Sequence, residues 1–199
     1  MPKRFKIKGI TDSYTLRPVS EVNLHLTEDC ILSNIQILET ANKLFISDTA
    51  RSTIFDHIGW SASTGQNNVE QGGLLIGHSY VDESDSSVLG FVEYAIPALS
   101  AKGSMVYLEF NHDSWKSMMD QLDEMNATVP NHAELQIIGW YHTHPGRLSV
   151  FMSGTDLNTQ RKMFSKDWQY AIVLNPQKQV WRAFNGKDSK ECNGYILKQ

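Results

Sequence analysis

The sequence has few cysteines and no long apolar run. Only two of its 199 residues are cysteines, Cys30 and Cys192, and they form no C-x-x-C pair. This scarcity excludes a disulfide framework and a zinc knuckle, and it favours a reducing, cytoplasmic compartment. No stretch reaches the ~18–20 apolar residues of a membrane span or has the form of a signal peptide, so the sequence predicts a soluble protein.

Clusters of positive charge and several common catalytic motifs are also missing. The 18 basic residues are interleaved with 22 acidic ones, which gives a net charge of -4. No run of five or more Lys and Arg occurs, so nothing indicates nucleic-acid binding. The absence of G-x-S-x-G, P-C-x-x-C and H-E-x-x-H argues against a serine hydrolase with a nucleophile elbow, a paired-cysteine deaminase and a helical zinc peptidase.

The length and the apolar content suit one compact domain with a short appendage. Hydrophobic residues make up 41% of the chain and aromatic residues 10%, which is enough for a real core. We predict a domain over residues 44–199, preceded by a short β-rich N-terminal extension over residues 1–43. Loose apolar alternation predicts strands in this extension at residues 5–10 and 21–26.

Periodicity predicts an α+β domain of several antiparallel strands with three helices. The helices are expected at residues 47–60, 111–125 and 153–164. In the second helix an apolar stripe of tryptophan, leucine and methionine indicates core packing. Strands are expected at residues 72–77, 87–97, 105–110, 135–141, 170–174 and 180–184. The strands at 87–97 and 105–110, separated by a flexible segment at 99–104, suggest an antiparallel meander.

Two histidines follow the most strand-like segment of the chain. His142 and His144 are two residues apart, so in an extended backbone both imidazoles point to the same side and can converge on one metal ion. Pro145 ends the strand there, because it has no amide to donate to a central ladder. The alternative is that these are two ordinary polar histidines near a turn.

A serine and an aspartate stand at the start of the third predicted helix. The spacing Ser153-x-x-Asp156 is typical of a capping box at a helix start. A carboxylate in the first helical turn can also bind a metal ion that the helix end faces. The two interpretations are compatible.

Glu70 precedes the apolar run at residues 72–77. Most glutamates are simply solvated, but the glycines of this run permit close approach of other backbone. A carboxylate at the edge of such a buried run is a candidate general base.

Together these motifs resemble a known family. The stretch E-x-G-G-L-L-x-G from Glu70, then H-x-H-P from His142, then S-x-x-D from Ser153 is similar to the signature of JAMM metalloproteases, the catalytic branch of the JAB/MPN (Mov34/PAD-1) family. The resemblance covers about residues 44–184. It implies a JAB/MPN-like fold, with an antiparallel or mixed, partly curved β-sheet flanked by helices.

The resemblance also implies a site and an activity. His142, His144 and Asp156 would bind Zn²⁺, Glu70 would activate the zinc-bound water, and Ser153 would stabilise the tetrahedral intermediate. The expected activity is that of an isopeptidase or peptidase that removes a ubiquitin-like modifier from conjugates or trims its C-terminus. The alternatives are a hydrolase of small peptides or amino-acid conjugates, and a catalytically silent scaffold within a larger assembly.

The sequence departs from the family pattern at two places. Eight residues, 145–152, separate His144 from Ser153 where the family usually has seven, which makes Ser149 an inferior alternative to Ser153. The turn at 175–178 leaves no room for the long insertion that helps deubiquitinases of the family grip ubiquitin. Substrate grip is therefore expected from residues 1–44, from the 99–104 loop or from an activating protein partner.

Overall fold

The computed structural model describes most of the chain, in several ranges. These are residues 16–21, 39–60, 69–99, 102–103, 108–109, 111–130 and 133–197. The predicted strand at 5–10 lies outside them, as does the predicted strand at 21–26 apart from Glu21, which ends a short 3-10 turn. The division between residues 43 and 44 stays a prediction.

Within the described ranges, α-helices occupy the three predicted positions. They are α1 (Asp48–Ile58), α2 (His112–Asn126) and α3 (Gly154–Met163). The side chains of Ser47, Asn111 and Ser153 each accept a backbone N–H of the first turn, which explains where the helices begin. None of the helices described is long and apolar enough to cross a membrane.

The described ranges contain ten strands. They are β1 (Arg17–Pro18), β2 (Lys43–Ile46), β3 (Gly72–Val81), β4 (Val88–Pro97), β5 (Lys102–Gly103), β6 (Leu108–Glu109), β7 (Gln136–Thr143), β8 (Tyr170–Asn175), β9 (Val180–Asn185) and β10 (Lys190–Ile196). The strands predicted at 72–77, 87–97, 135–141, 170–174 and 180–184 are confirmed as parts of β3, β4, β7, β8 and β9.

Eight of these strands form one mixed sheet that closes on itself. The order is β1-β3-β4-β2-β10-β9-β8-β7, and an additional pairing of β7 with β3 closes the sheet. The pairs β3–β4, β3–β7, β8–β9 and β9–β10 are antiparallel, whereas β1–β3, β2–β4, β2–β10 and β7–β8 are parallel. The prediction of an α+β fold with a curved sheet flanked by helices is confirmed.

Two parts of the strand prediction are wrong. The expected meander is absent from the described ranges, because β6 pairs with β5 in a separate two-stranded sheet while β4 lies between β3 and β2. In addition, β2 and β10, which pair in parallel, were not predicted. β2 has only four residues and β10 carries Lys190, Glu191, Asn193 and Gly194, so neither shows a clear apolar alternation.

The core consists of two apolar clusters on the two faces of the sheet. Leu75 and Tyr141 belong to the cluster that packs against α1. Their neighbours Leu74 and Trp140 belong to the cluster that packs against α2, which contributes Met118 from its predicted apolar stripe. Because adjacent strand residues point to opposite faces, β3 and β7 are buried on both sides. Their ends are therefore held rigidly, and the candidate site lies at one of these ends.

Candidate metal centre

The two histidines lie where β7 ends. His142 pairs with Val173 of β8, and the backbone N–H of His144 donates to the carbonyl of Leu174 at 2.8 Å. Both side chains are buried, and their ring centroids are 5.0 Å apart. The strand geometry thus turns both imidazoles into one region, as the H-x-H spacing predicts.

Asp156 approaches this region from the first turn of α3. The predicted capping box is present: Ser153 Oγ accepts the N–H of Asp156 at 3.2 Å, and the Ser153 N–H donates to Asp156 Oδ2 at 2.7 Å. This reciprocal pair fixes the orientation of the carboxylate. The capping role and a position beside the histidines therefore occur together.

The separations between these groups suit a tetrahedral metal ion. His142 Nε2 lies 3.2 Å from Asp156 Oδ1, and His144 Nε2 lies 3.3 Å from Asp156 Oδ2. One ligand atom from each residue can be chosen so that all three lie within 4.8 Å of one another. Bonds of about 2.0–2.1 Å around tetrahedral zinc place neighbouring ligand atoms roughly 3.3 Å apart.

His142 has the chemistry of a metal ligand. It is fully buried, and its contact with a polar group among the described residues is the 3.2 Å approach of its Nε2 to Asp156 Oδ1. Its Nδ1 has no hydrogen-bond partner among those residues. Its ring stacks on Trp140 at a centroid distance of 4.4 Å. A buried polar atom without a partner is costly, and a metal bond would satisfy Nε2, the nitrogen that faces Asp156.

His144 is held by a neighbouring carbonyl. Its Nδ1 lies 2.7 Å from the carbonyl oxygen of Ser149, an acceptor, so Nδ1 carries the proton and donates. This leaves the Nε2 lone pair directed toward Asp156. A ligating histidine is usually oriented by such a bond from its other nitrogen. The exposed ring of Phe151 contacts His144 edge-on, with centroids 5.4 Å apart.

The protonation equilibria of the three residues reflect burial and mutual charge. Burial lowers the pKa of His142, which favours the neutral imidazole that binds metals. Burial also acts to lower the pKa of His144, but Asp156, the Ser149 carbonyl and Glu70 outweigh it and raise that pKa. Burial would raise the pKa of Asp156, yet its contacts with both histidines hold it well below its usual range. Asp156 is therefore a carboxylate, the form that binds a cation.

Glu70 lies beside His144. It is buried and lies two residues before Gly72, the first residue of β3, which pairs with His142. Continuing this antiparallel register places Glu70 opposite His144, and the carboxylate contributes to the raised pKa of that histidine. A buried acidic group thus stands at the edge of the cluster, where a general base would be needed.

A second group of contacts supports the strands from the other face of the sheet. The hydroxyl of Tyr141, whose pKa burial raises, lies within hydrogen-bond distance of Nδ1 of His57, at 2.9 Å. A Cβ at Gly73 would lie 2.3 Å from the carbonyl oxygen of Ile96 and 2.8 Å from the Tyr141 ring. The prediction that glycines of this run permit close backbone approach is confirmed.

The structure brings the sequence-predicted site residues together. His142, His144 and Asp156 form the cluster, Ser153 is bonded to Asp156, and Glu70 lies beside it. Ser149, the weaker alternative to Ser153, is exposed and contributes its backbone carbonyl. The catalytic and metal-binding roles of these residues stay predictions.

Sequence reasoning missed several residues that shape the site. Trp140 could have been found, because it lies two residues before His142 on the same strand face. Gln71, Asn175 and Arg182 act through hydrogen bonds to backbone far along the chain. No local pattern marks them.

Comparisons with known proteins agree with this geometry. Residues 39–167, well over half of the chain and including all five predicted site residues, match the family model described as JAB1/Mov34/MPN/PAD-1 ubiquitin protease. Among similar proteins, COP9 signalosome complex subunit 5 of Candida albicans is 30% identical over 69% of this chain and 20% of its own length. The 26S proteasome non-ATPase regulatory subunit 14 of Drosophila melanogaster is 28% identical over 72% of this chain and 42% of its own length.

A third relative has a different activity in its name. NAD(+) hydrolase TcpA of a Theionarchaea archaeon is 27% identical over 68% of this chain and 35% of its own length. This chain therefore spans less than half the length of each of the three relatives. The match therefore shows a shared domain. The activities for which the full-length relatives are named cannot be assigned to this chain from the match alone.

Proposed function

Because the chain belongs to the JAB1/Mov34/MPN/PAD-1 family, we propose that it is a zinc-dependent isopeptidase or peptidase that cleaves a ubiquitin-like modifier from conjugates or trims its C-terminus. His142, His144 and Asp156 hold the zinc. When bound, zinc supplies a Lewis acid that polarises a peptide carbonyl and makes water nucleophilic near neutral pH. The observation that carries the proposal is the buried His-His-Asp group with the Glu70 carboxylate beside it.

Glu70 moves the proton in the proposed reaction. It accepts a proton from the attacking water, whose oxygen bonds to the carbonyl carbon of the scissile peptide or isopeptide. It then delivers that proton to the leaving nitrogen as the carbon–nitrogen bond breaks. A base that lies beside the ligand His144 and is shielded from solvent suits both transfers.

Ser153 stabilises the negative charge that develops on the carbonyl oxygen. In the capping box its Oγ serves as an acceptor, so its single O–H is left to donate toward the site. Losing one such donor typically lowers the rate by about a hundred- to a thousandfold.

The substrate class rests on the family and on the relatives. The matching family is described as a ubiquitin protease, and two of the relatives are subunits of the COP9 signalosome and the 26S proteasome. We therefore propose a ubiquitin-like protein or its conjugate as substrate, and an activating protein partner as one of the candidate sources of substrate grip. The low cysteine content suits action in the reducing cytoplasm.

A cleavage assay combined with zinc analysis tests the proposal. Protein purified without chelator should contain about one zinc per chain and should cleave ubiquitin-like fusions faster than short peptides. Glu70→Gln should keep the zinc and lose turnover, whereas His142→Ala should lose both. His112→Ala, which changes an exposed histidine on α2, is the matched control and should retain both.

Three outcomes would contradict parts of the proposal. Well under one zinc per chain, with no effect of His142→Ala on any activity, would support the catalytically silent scaffold. Preference for short peptides over fusions would replace the modifier with a small-peptide substrate. Cleavage that survives Glu70→Gln would remove Glu70 from its assigned role.

A further inference from the structure

The segment between His144 and Ser153 is held by an unusual set of hydrogen bonds. We call residues 145–152 the His–Ser loop. Five consecutive carbonyl oxygens of this loop, those of residues 146–150, each accept a hydrogen bond from a side chain. The donors are Asn175 Nδ2 to residues 146 (3.1 Å) and 148 (2.9 Å), Lys178 Nζ to residues 147 (2.8 Å) and 148 (2.9 Å), His144 Nδ1 to residue 149 (2.7 Å) and Arg182 to residue 150 (2.8 Å).

Apart from His144, these donors come from β8, β9 and the turn between them. Asn175 ends β8 and is fully buried, and its Oδ1 accepts the backbone N–H of Lys178 at 2.9 Å. The Arg182 guanidinium is bonded to both carboxylate oxygens of Glu191 on β10. Asn175 and Arg182 are therefore held in place by the closed sheet, independently of their bonds to the loop.

The loop itself has no regular backbone ladder. The structure assigns residues 145–152 to no helix or strand. Backbone carbonyl groups outside a helix or strand need other partners, and here side chains supply them. The position of the Ser149 carbonyl, which orients the His144 ring, consequently depends on the bonds made to the carbonyls on either side of it.

We propose that Asn175 is a positioning residue for the metal centre, assisted by Lys178 and Arg182. Asn175 holds the carbonyls of residues 146 and 148 on one side of Ser149, and Arg182 holds that of residue 150 on the other side. Together these bonds fix the acceptor that directs Nε2 of His144 toward the ion. This inference rests on the proposed zinc function. The inference gives the short turn between β8 and β9 a role in metal binding. This turn and the strand ends beside it support the His–Ser loop, which is one residue longer than the family pattern.

Zinc affinity measured by competition with a chelator tests this role. Asn175→Leu keeps the approximate volume and removes the amide donor, and it should weaken zinc binding by about ten- to a hundredfold, the usual effect of losing an outer partner of a metal ligand. Asn185→Leu is the matched control. Asn185 is also buried and donates to backbone carbonyls, those of Asp167 at 3.0 Å and Gln169 at 3.4 Å, but it lies at the opposite end of the sheet.

A structural role and a positioning role predict different results. If Asn175 only stabilises the fold, both variants should lower the melting temperature and leave zinc affinity at the wild-type value. The proposal requires that Asn175→Leu alone weakens zinc binding. Equal zinc affinities for wild type and Asn175→Leu, or equal losses in both variants, would overturn it.

A milder variant covers the case in which Asn175→Leu does not fold. Lys178 is exposed, so Lys178→Met should fold and should weaken zinc binding by a smaller factor, within about fivefold. Unchanged affinity in that variant would then overturn the proposal. Failure of the wild-type protein to bind zinc would instead refute the proposed function, and this inference with it.

Discussion

The hydroxyl of Thr143 accepts the backbone N–H of Gln71 at 2.9 Å, and the backbone N–H of Thr143 donates to the carbonyl of Gln71 at 2.8 Å. Thr143 lies between the two histidines, and Gln71 follows Glu70. The Gln71 side chain is held as well, because its Nε2 donates to the carbonyl of His57 at 2.8 Å. The segment that carries the proposed base is thus fixed to the end of β7, where the two proposed histidine ligands lie.

Thr143→Val should lower the turnover number by about ten- to a hundredfold while zinc content stays near one per chain. Valine keeps the shape but cannot accept the Gln71 N–H, and small displacements of a catalytic group cost rates of this order. Thr143→Ser keeps the hydroxyl and should restore most of the activity. Steady-state kinetics with a ubiquitin-like fusion measures both variants.

A matched control is available on β3 itself. Ser79 is a fully buried residue of that strand whose hydroxyl donates to the carbonyl of Trp168 at 3.0 Å, far from the site. Ser79→Ala should lower stability and leave the turnover number unchanged. If Thr143→Val and Ser79→Ala have the same kinetic effect, the contact between Thr143 and Gln71 has no special part in catalysis.

Ser153→Gly should separate the capping role of Ser153 from its catalytic role. Glycine at an N-cap costs only a few tenths of a kcal/mol, whereas alanine costs about 1 kcal/mol. Both variants lack the hydroxyl, so both should lower the turnover number by about a hundred- to a thousandfold. The melting temperature should fall clearly only for Ser153→Ala. If Ser153→Gly has wild-type kinetics, then another donor stabilises the oxyanion, and Ser149 becomes the candidate for that role.

The sequence allowed the candidate ligands to be found because their spacing is local. H-x-H on a strand and S-x-x-D at a helix start each place side chains through the geometry of one element. The same reasoning located all three helices, including the N-cap Ser153. The strand β10, which lies between β2 and β9, was not predicted, because its polar residues interrupt the apolar alternation of a strand.

Contacts between distant segments could not be read from the sequence in this way. The bonds from Asn175 and Arg182 to the His–Ser loop join residues 27 to 32 positions apart. An asparagine at a strand end is ordinarily interpreted as a turn residue. Its contact with the His–Ser loop follows from the pairing of β8 with β7, which only the structure provides.

Zinc should stabilise the folded protein. If zinc binds the native state alone, a free concentration of about 100 times the Kd adds about 2.7 kcal/mol. For a chain of this length that corresponds to a rise of about 5–10 °C in the melting temperature. Asp156→Asn keeps the shape of the side chain but removes the charge, and it should show little or no rise at the same zinc concentration. Equal shifts in the two proteins would mean that zinc binds at a different place.

Acidification should destabilise the protein partly through His57. Burial lowers the pKa of His57 in the folded state, whereas in the unfolded chain it is about 6.5. As the pH falls through 6.5, the unfolded state binds the proton first, so the contribution of this group to stability is present above that pH and is lost below it. His57→Asn should therefore reduce the difference in unfolding free energy between pH 7.5 and pH 5.5.

Urea unfolding of zinc-loaded protein at the two pH values measures this difference. Comparing each variant with wild type cancels the contributions of His142 and His144, which are present in all the proteins. His112→Asn changes an exposed histidine on α2 and serves as the control. If His57→Asn loses as much stability on acidification as wild type does, then the burial of His57 contributes nothing to the pH dependence of stability. The support that α1 gives to β7 would then be independent of pH.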